Sequence, residues 1–148
     1  MRTLFLYLLI SIFTLPLSAQ WTALDTALVP TNYHSNHIKI AADGSIWDVS
    51  GINAFPATGT NPVVNRSTDG GLTWTTDTVL SIPDSWPYSI SPIDSMTAWM
   101  GANQMGLYFT NDGGLSWNKD TSFSFAAPIV HFFDSNNGWA FTYDTTTF

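Results

Sequence analysis

The sequence predicts an all-β fold, and three features of composition and pattern lead to that prediction. All eleven acidic residues are Asp, with no Glu, and Asp favours turns whereas Glu favours helices. Aromatic residues make up 15% of the chain, and short apolar runs alternate with turns rich in Gly, Asn, Asp and Ser. Beyond residue 19, no stretch has the apolar period of a helix.

The N-terminal segment has the features of a secretory signal peptide. A short basic region precedes the apolar run Leu4–Leu15, and Pro16–Ala19 ends in a small residue, as signal peptides do. The run is about 12 residues long, whereas a membrane-spanning helix needs roughly 20. We therefore expect cleavage near Ala19, no transmembrane helix in the mature chain, and a secreted or cell-surface protein; an uncleaved anchor is the alternative.

The charge of the chain argues against nucleic acid as a partner. The formal net charge is −7, and removal of Arg2 with the signal peptide would lower it to −8. Nucleic-acid affinity comes mainly from Lys and Arg on phosphates. There is no Cys, so no disulfide framework supports the fold of an exported chain. We expect neither a nucleic-acid partner nor a cofactor.

Six of the seven Trp residues recur in three pairs along the chain. The pairs are Trp21 with Trp47, Trp74 with Trp99, and Trp117 with Trp139. An Asp-Thr follows the first Trp of each pair. An apolar run and a turn precede the second, in HIKIAADGSIW, YSISPIDSMTAW and IVHFFDSNNGW. A period of roughly 40–50 residues with four short strands per unit is typical of a β-propeller or a similar array.

Within each repeat the pattern predicts up to four strands. The first strand covers Ile38–Ala41, Tyr88–Ser91 and Ile129–Phe133; the second covers Ile46–Ser50, Ala98–Gly101 and Trp139–Thr142; the third covers Val63–Ser67 and Leu107–Thr110; the fourth covers Leu72–Thr76 and Leu115–Asn118.

An octapeptide that occurs twice, STDGGLTW and TNDGGLSW, joins the predicted third and fourth strands. Its Asp can accept hydrogen bonds from the backbone of the turn. The paired Gly residues permit positive φ, and the Trp can anchor the corner on the sheet. The pattern resembles the Asp-box, or BNR repeat. The residues concerned are Ser67, Asp69, Gly70, Gly71, Thr73 and Trp74, and then Thr110, Asp112, Gly113, Gly114, Ser116 and Trp117.

Asp-boxes occur in sialidases, sortilin-type receptors, some glucanases and bacterial proteins similar to photosystem II assembly factors. FFDSNNGWAF at Phe132–Phe141 looks like a motif of the last group. The resemblance implies a β-propeller of four-stranded antiparallel blades, with Asp-box hairpins on the face away from any binding or catalytic site. It therefore implies a structural role for the Asp-box residues, rather than metal binding or catalysis.

The resulting domain organisation is a signal peptide, 1–19, and a partial Asp-box propeller, 20–148, with about two and a half blades. Residues 20–36 form a closing fourth strand and a loop, 37–76 and 86–118 form blades, and 128–148 form an incomplete blade. Closed propellers have about four to eight blades. We therefore expect an N-terminal fragment of a longer protein; a ring of several copies is the alternative.

The face opposite the Asp-boxes is the expected binding face. Trp86 and Tyr88, beside Asp84, form an aromatic–acid cluster of the type that stacks sugars, although Trp86 could instead pack between blades. His34, His37 and Asp43 have loose spacing for zinc, so no metal is expected. The candidate binding residues are Tyr33, His34, His37, Asp84, Trp86, Tyr88, Asn103 and Gln104.

Two functions of different classes fit the sequence. The first is a secreted or cell-surface scaffold that binds an unknown protein or glycan ligand without catalysis. The alternative is an extracellular glycoside hydrolase, sialidase- or glucanase-like, with catalytic residues mostly outside this chain. Sialidase chemistry needs an Arg cluster on a carboxylate, but the mature chain has only Arg66. No catalytic residue can be named, and binding is favoured.

Overall fold

The structure is a computed structural model that describes residues 32–52, 61–81, 85–103, 106–123 and 129–142. The predicted signal peptide, the strand expected at Trp21, and the candidate residues Asp84 and Gln104 lie outside these ranges.

The described residues form ten strands and no helix, which confirms the all-β prediction with four-stranded antiparallel sheets. In both four-stranded sheets the spatial order follows the chain. Sheet I contains β1 (Tyr33–Ile40), β2 (Ile46–Ile52), β3 (Val63–Ser67) and β4 (Thr75–Thr78). Sheet II contains β5 (Pro87–Pro92), β6 (Ala98–Ala102), β7 (Gly106–Thr110) and β8 (Asn118–Lys119). Sheet III contains β9 (Ile129–Phe132) and β10 (Gly138–Phe141).

Three strands begin more than one residue away from their predicted starts. β1 begins at Tyr33, within residues that the sequence assigns to a loop, and β4 begins at Thr75 rather than Leu72. β8 likewise begins at Asn118 rather than Leu115. The late starts of β4 and β8 have one cause, because the carboxylate of the Asp in each octapeptide, Asp69 or Asp112, accepts a hydrogen bond from the backbone N–H four residues on. Those residues therefore belong to the turn and cannot join the ladder.

The register makes the three sheets equivalent. Trp47, Trp99 and Trp139 occupy the same place on the second strand, paired with Lys39, Ser91 and His131 of the first strand. The first strands of sheets I and II also share an irregularity, between Ser35 and His37 and between Pro87 and Ser89. Asn36 and Tyr88 are the extra residues at these bulges. Positions in one sheet can therefore be compared directly with those in the next.

The main core lies between sheets I and II. It contains Trp47 and Val49 of β2 together with Ile90 of β5 and Met100 of β6, all fully buried. A smaller cluster around Val130 joins sheet II to sheet III. Burial of this apolar surface is the main favourable contribution to packing one sheet on the next.

A buried polar network crosses all four strands of sheet I. Asp48 accepts hydrogen bonds from Ser35 of β1, from the Ser50 hydroxyl at 2.7 Å and from the Asn65 amide at 2.7 Å. The amide oxygen of Asn65 then accepts from Thr76 of β4 at 2.8 Å. These partners satisfy a carboxylate that is only 5% exposed and that would otherwise be costly to bury.

The sheets have two distinct ends. Ile46 pairs with Ser67 near the β1–β2 and β3–β4 turns, whereas Tyr33 pairs with Ile52 at the opposite end. Sheet II repeats this arrangement, with Ala98 paired with Thr110. We call the first the turn end and the second the loop end. The two octapeptide turns lie at the turn end, and Tyr33 lies at the loop end.

Candidate functional site

The first octapeptide turn is closed by hydrogen bonds within itself. The Asp69 carboxylate accepts from the Thr73 backbone N–H at 2.8 Å and from the Thr73 hydroxyl at 2.6 Å. The Ser67 hydroxyl donates to Asp69 at 2.8 Å and accepts from the Gly71 N–H at 2.8 Å. The indole N–H of Trp74 donates to the Gly71 carbonyl at 3.0 Å. The turn therefore satisfies its own polar groups.

The second turn repeats these bonds at the equivalent positions. Asp112 accepts from the backbone and the hydroxyl of Ser116, and the Thr110 hydroxyl accepts from the Gly114 N–H at 3.0 Å. Trp117 donates to the Gly114 carbonyl at 3.2 Å. Gly113 and Gly114 have φ of 77° and 92°, matching 74° and 91° at the same places in the first turn. Left-handed backbone of this kind favours glycine.

The turn carboxylates are strong hydrogen-bond acceptors. The hydroxyl and backbone N–H of Thr73, together with Ser67, lower the pKa of Asp69 from 3.8 to about 2. The hydroxyl and backbone N–H of Ser116 do the same for Asp112. Hydrogen bonds to the ionised form favour that form. Both carboxylates are therefore engaged with the turn as anions.

At the turn end, sheet I is joined to sheet II by hydrogen bonds to the β5–β6 turn. The Trp47 indole N–H donates to the Asp94 carbonyl at 3.1 Å, and the Ser95 N–H donates to Asp43 at 2.7 Å. Arg66 donates to the Ser95 carbonyl, and its guanidinium carbon lies 5.5 Å from the Trp47 ring centroid. A cation over an aromatic face is attracted by the ring, so Arg66 clamps two sheets together.

The burial of equivalent Trp residues follows their neighbours. Trp47, covered by sheet II, is fully buried; Trp99, beside the two-stranded sheet III, is half-buried; and Trp139 is 62% exposed. Trp117 of the second turn is 4% exposed, whereas Trp74 of the first is half-buried. These differences show that the burial of a Trp depends on the sheet packed beside it.

At the loop end, a cleft of about 130 Å³ lies where sheet I meets the start of sheet II. It is lined by Asn36 and Ile52 from sheet I and by Trp86 and Tyr88 from the other side. Asn36 and Tyr88 are the two equivalent bulge residues. A β-bulge redirects a side chain and is common beside functional sites. The bulges therefore help to place these two side chains at the cleft.

Contacts on both sides hold Trp86 in place. Its backbone N–H donates to the Asn103 side chain at 2.9 Å, and its carbonyl accepts from the Asn103 N–H at 3.0 Å. The next residue, Pro87, accepts from the Asn36 amide at 2.9 Å. The Trp86 indole N–H is buried and has no hydrogen-bond partner in the described structure. An unpaired buried donor is costly, and such groups are rare in folded proteins.

The remaining candidate residues are divided between the loop end and the interface of the sheets. The Tyr33 hydroxyl donates to the Asn61 carbonyl at 3.0 Å, and His34 is exposed in β1. His37 lies further along β1, where its Nδ1 accepts the Ile90 N–H at 3.0 Å. The structure thus brings Trp86 and Tyr88 together at the cleft and joins Asn103 to Trp86, whereas His37 links β1 to β5.

Sequence reasoning missed Asn36 and Ile52, the sheet I side of the cleft. Ile52 belongs to the apolar pattern of a strand, and a bulge cannot be read from the residues before the register is known. An alignment of the two repeats that matches His37 with Ser89 also matches Asn36 with Tyr88, which was a candidate. That alignment is the sequence signal that could have identified it.

The remaining features of the described residues are few. No group of three or more His, Asp or other metal-ligating side chains occurs among them. Within the same ranges there is no helix of the length and apolarity needed to cross a bilayer. Two further clefts lie between neighbouring sheets. One, of about 230 Å³, is beside Trp117 and is also lined by Thr78–Ser81; the other, of about 320 Å³, is at the turn end beside Trp99.

Comparisons with known proteins relate the chain to others through its fold. No family model matches the sequence, and no curated protein matches it. Among solved structures, YCF48 from Cyanidioschyzon merolae matches with a TM-score of 0.52 and 18% identity, over 74% of this chain and 35% of that chain. The chain thus spans about a third of the length of YCF48. At this level of likeness the match relates the chain to the β-propellers in fold, and in fold alone.

Proposed function

We propose that the protein is a secreted or cell-surface β-propeller of the Asp-box type that binds a protein or glycan ligand without catalysis. The cleft at Trp86 is the observation that supports this proposal most directly. It joins two aromatic side chains, an aliphatic one and an amide, at the end of the sheets away from the octapeptide turns. Binding sites typically combine apolar walls with a few polar groups.

The state of the described carboxylates supports binding over hydrolysis. Most glycoside hydrolases use two carboxyl groups that flank a sugar bond. Asp94 and Asp134 accept backbone N–H groups of their own turns, as do Asp43, Asp69 and Asp112. Asp48 is buried within sheet I. Most of these groups are explained by turn geometry, and none of them lines the Trp86 cleft.

The test is a binding and turnover assay of the purified protein. We expect binding to immobilised glycans or to extracellular proteins of the source organism, with no release of fluorophore from fluorogenic glycosides. Trp86→Ala should abolish binding, and Trp139→Ala, which removes an exposed Trp outside the cleft, should leave it unchanged. Hydrolysis of a glycoside, or binding that is indifferent to Trp86, would contradict the proposal.

Export has a separate test. Recovery of the protein from the culture medium or the cell surface, with Gln20 as its first residue, would support the proposed signal peptide. Retention of the full chain inside the cell would contradict it.

A further inference from the structure

Among the residues that the structure describes, the side chains that line the Trp86 cleft carry no formal charge. They are the aromatic rings of Trp86 and Tyr88, the aliphatic side chain of Ile52 and the amide of Asn36. Aromatic rings offer large, rigid apolar faces, which suit the C–H face of a sugar ring. None of these four side chains can compensate a charged ligand for its lost hydration.

Arg66, the side chain best suited to bind an acidic sugar, lies at the turn end of the sheets, away from the cleft. Recognition of a carboxylate relies on the planar, two-pronged guanidinium of Arg. Arg66 is the sole Arg among the described residues, and it lies at the turn end, bonded to the Ser95 carbonyl and stacked over Trp47. The chain also carries a net charge of −7, and a negative field disfavours anionic ligands.

Two polar atoms of the residues that line the cleft match a hydroxyl group. The Trp86 indole N–H is a buried donor without a partner in the described structure. The amide N–H of Asn36 already donates to Pro87, which leaves its carbonyl oxygen to act as an acceptor. A sugar hydroxyl can accept from the first and donate to the second.

We propose that the cleft binds a neutral pyranose ring, presented at the end of an uncharged oligosaccharide. This inference rests on the proposed binding function and narrows it to one ligand class. The volume of about 130 Å³ suits one ring rather than a chain of sugars. The ring lies against Trp86 and Tyr88, and its hydroxyls bond to the indole N–H and the Asn36 carbonyl oxygen.

Matched pairs of glycans test the proposal. The purified protein is applied to an array in which each neutral glycan stands beside its sialylated, sulfated or uronic-acid derivative, such as lactose beside sialyllactose. We expect signal on neutral members and at least tenfold less on their acidic partners. Preference for the acidic members would overturn the proposed ligand class and leave the binding function standing. Absence of binding to every glycan would also overturn it, and binding to proteins would then decide the broader function.

Two variants locate the binding of a neutral glycan selected from that array. Trp86→Phe keeps an aromatic face and removes the indole N–H, so we expect about 2- to 10-fold weaker binding, the equivalent of one hydrogen bond. Trp86→Ala should weaken binding further, and Trp139→Ala should not change it. Near-UV circular dichroism checks that each variant is folded. Unchanged affinity in a folded Trp86→Ala protein would place the sugar elsewhere and overturn the proposal.

Discussion

The Nδ1 atom of His37 accepts a hydrogen bond from the backbone N–H of Ile90 at 3.0 Å, joining β1 of sheet I to β5 of sheet II. Ser89 occupies the equivalent position in the next sheet, and its hydroxyl accepts the Val130 N–H at 3.1 Å. Two different side chains thus have the same role. The first strand of sheet II and that of sheet III each present a backbone N–H to the preceding sheet, and a side chain of that sheet must accept it.

His37 should make stability depend on pH near neutrality. Burial lowers its pKa below 6.5, Lys39 lowers it further, and Asp48 opposes the shift. Between the folded-state pKa and 6.5 the unfolded chain binds more protons, so stability falls as pH decreases through that window. His37→Ser introduces the residue type found at the equivalent position, Ser89, and removes the imidazole. It should therefore flatten the dependence of melting temperature on pH from 7.5 to 5. His34→Gln, at an exposed position, is the control and should keep the wild-type dependence of melting temperature on pH.

The carboxylates of the two octapeptide turns should contribute a second loss of stability in acid. Asp69 and Asp112 have a pKa of about 2 against 3.8, so their contribution is present above 3.8 and is lost as pH falls towards 2. Asp112→Asn removes an acceptor for the Ser116 hydroxyl and should reduce that slope in thermal denaturation. Asp77→Asn, in β4 outside both turns, should retain it. Identical slopes in both variants would argue against the turn as the source.

The Trp residues that end the two octapeptides should differ in their effect on stability. Trp117 is 4% exposed, so Trp117→Ala should lower the free energy of unfolding by roughly 3–5 kcal/mol. Trp74 is half-buried, and Trp74→Ala should cost about 1–2 kcal/mol because less apolar surface is lost. Urea denaturation followed by circular dichroism measures both. Equal losses would show that the turn itself, rather than the neighbouring sheet, sets the contribution of the Trp.

Ala substitutions at Gly113 and Gly70 form a matched pair that tests the packing of Arg66 against the second octapeptide turn. Both have positive φ, so Ala at either position should cost roughly 1–2 kcal/mol of backbone strain. A Cβ at Gly113 would lie 2.4 Å from the Arg66 guanidinium, whereas nothing lies within 4 Å at Gly70. Gly113→Ala should therefore cost about 1–3 kcal/mol more than Gly70→Ala.

A double-mutant cycle checks the source of that excess. In an Arg66→Ala background the two Gly substitutions should become equally destabilising, since the group that the new methyl group would meet is absent. Persistence of the excess in that background would exclude the guanidinium as its cause.

The sequence by itself determined the strand-rich architecture and the place of its turns. The repeated spacing of Trp47 and Trp99 and the two Gly-Gly octapeptides predicted equivalent four-stranded sheets, because turn chemistry and apolar alternation act over a few residues. The late start of β4 escaped that reasoning: whether Leu72 belongs to a turn or a strand depends on the Asp69 carboxylate, which competes locally with the ladder.

The tertiary structure alone decided what lies between the sheets. It placed Arg66 over Trp47, made the His37 side chain the acceptor of a backbone N–H, and brought Asn36 to the cleft beside Trp86. Each of these outcomes joins residues from different sheets, and a bulge of one residue changes which side chain faces the neighbour. Local pattern predicts the elements because their causes are local, whereas the site depends on register and packing, which arise only when the sheets meet.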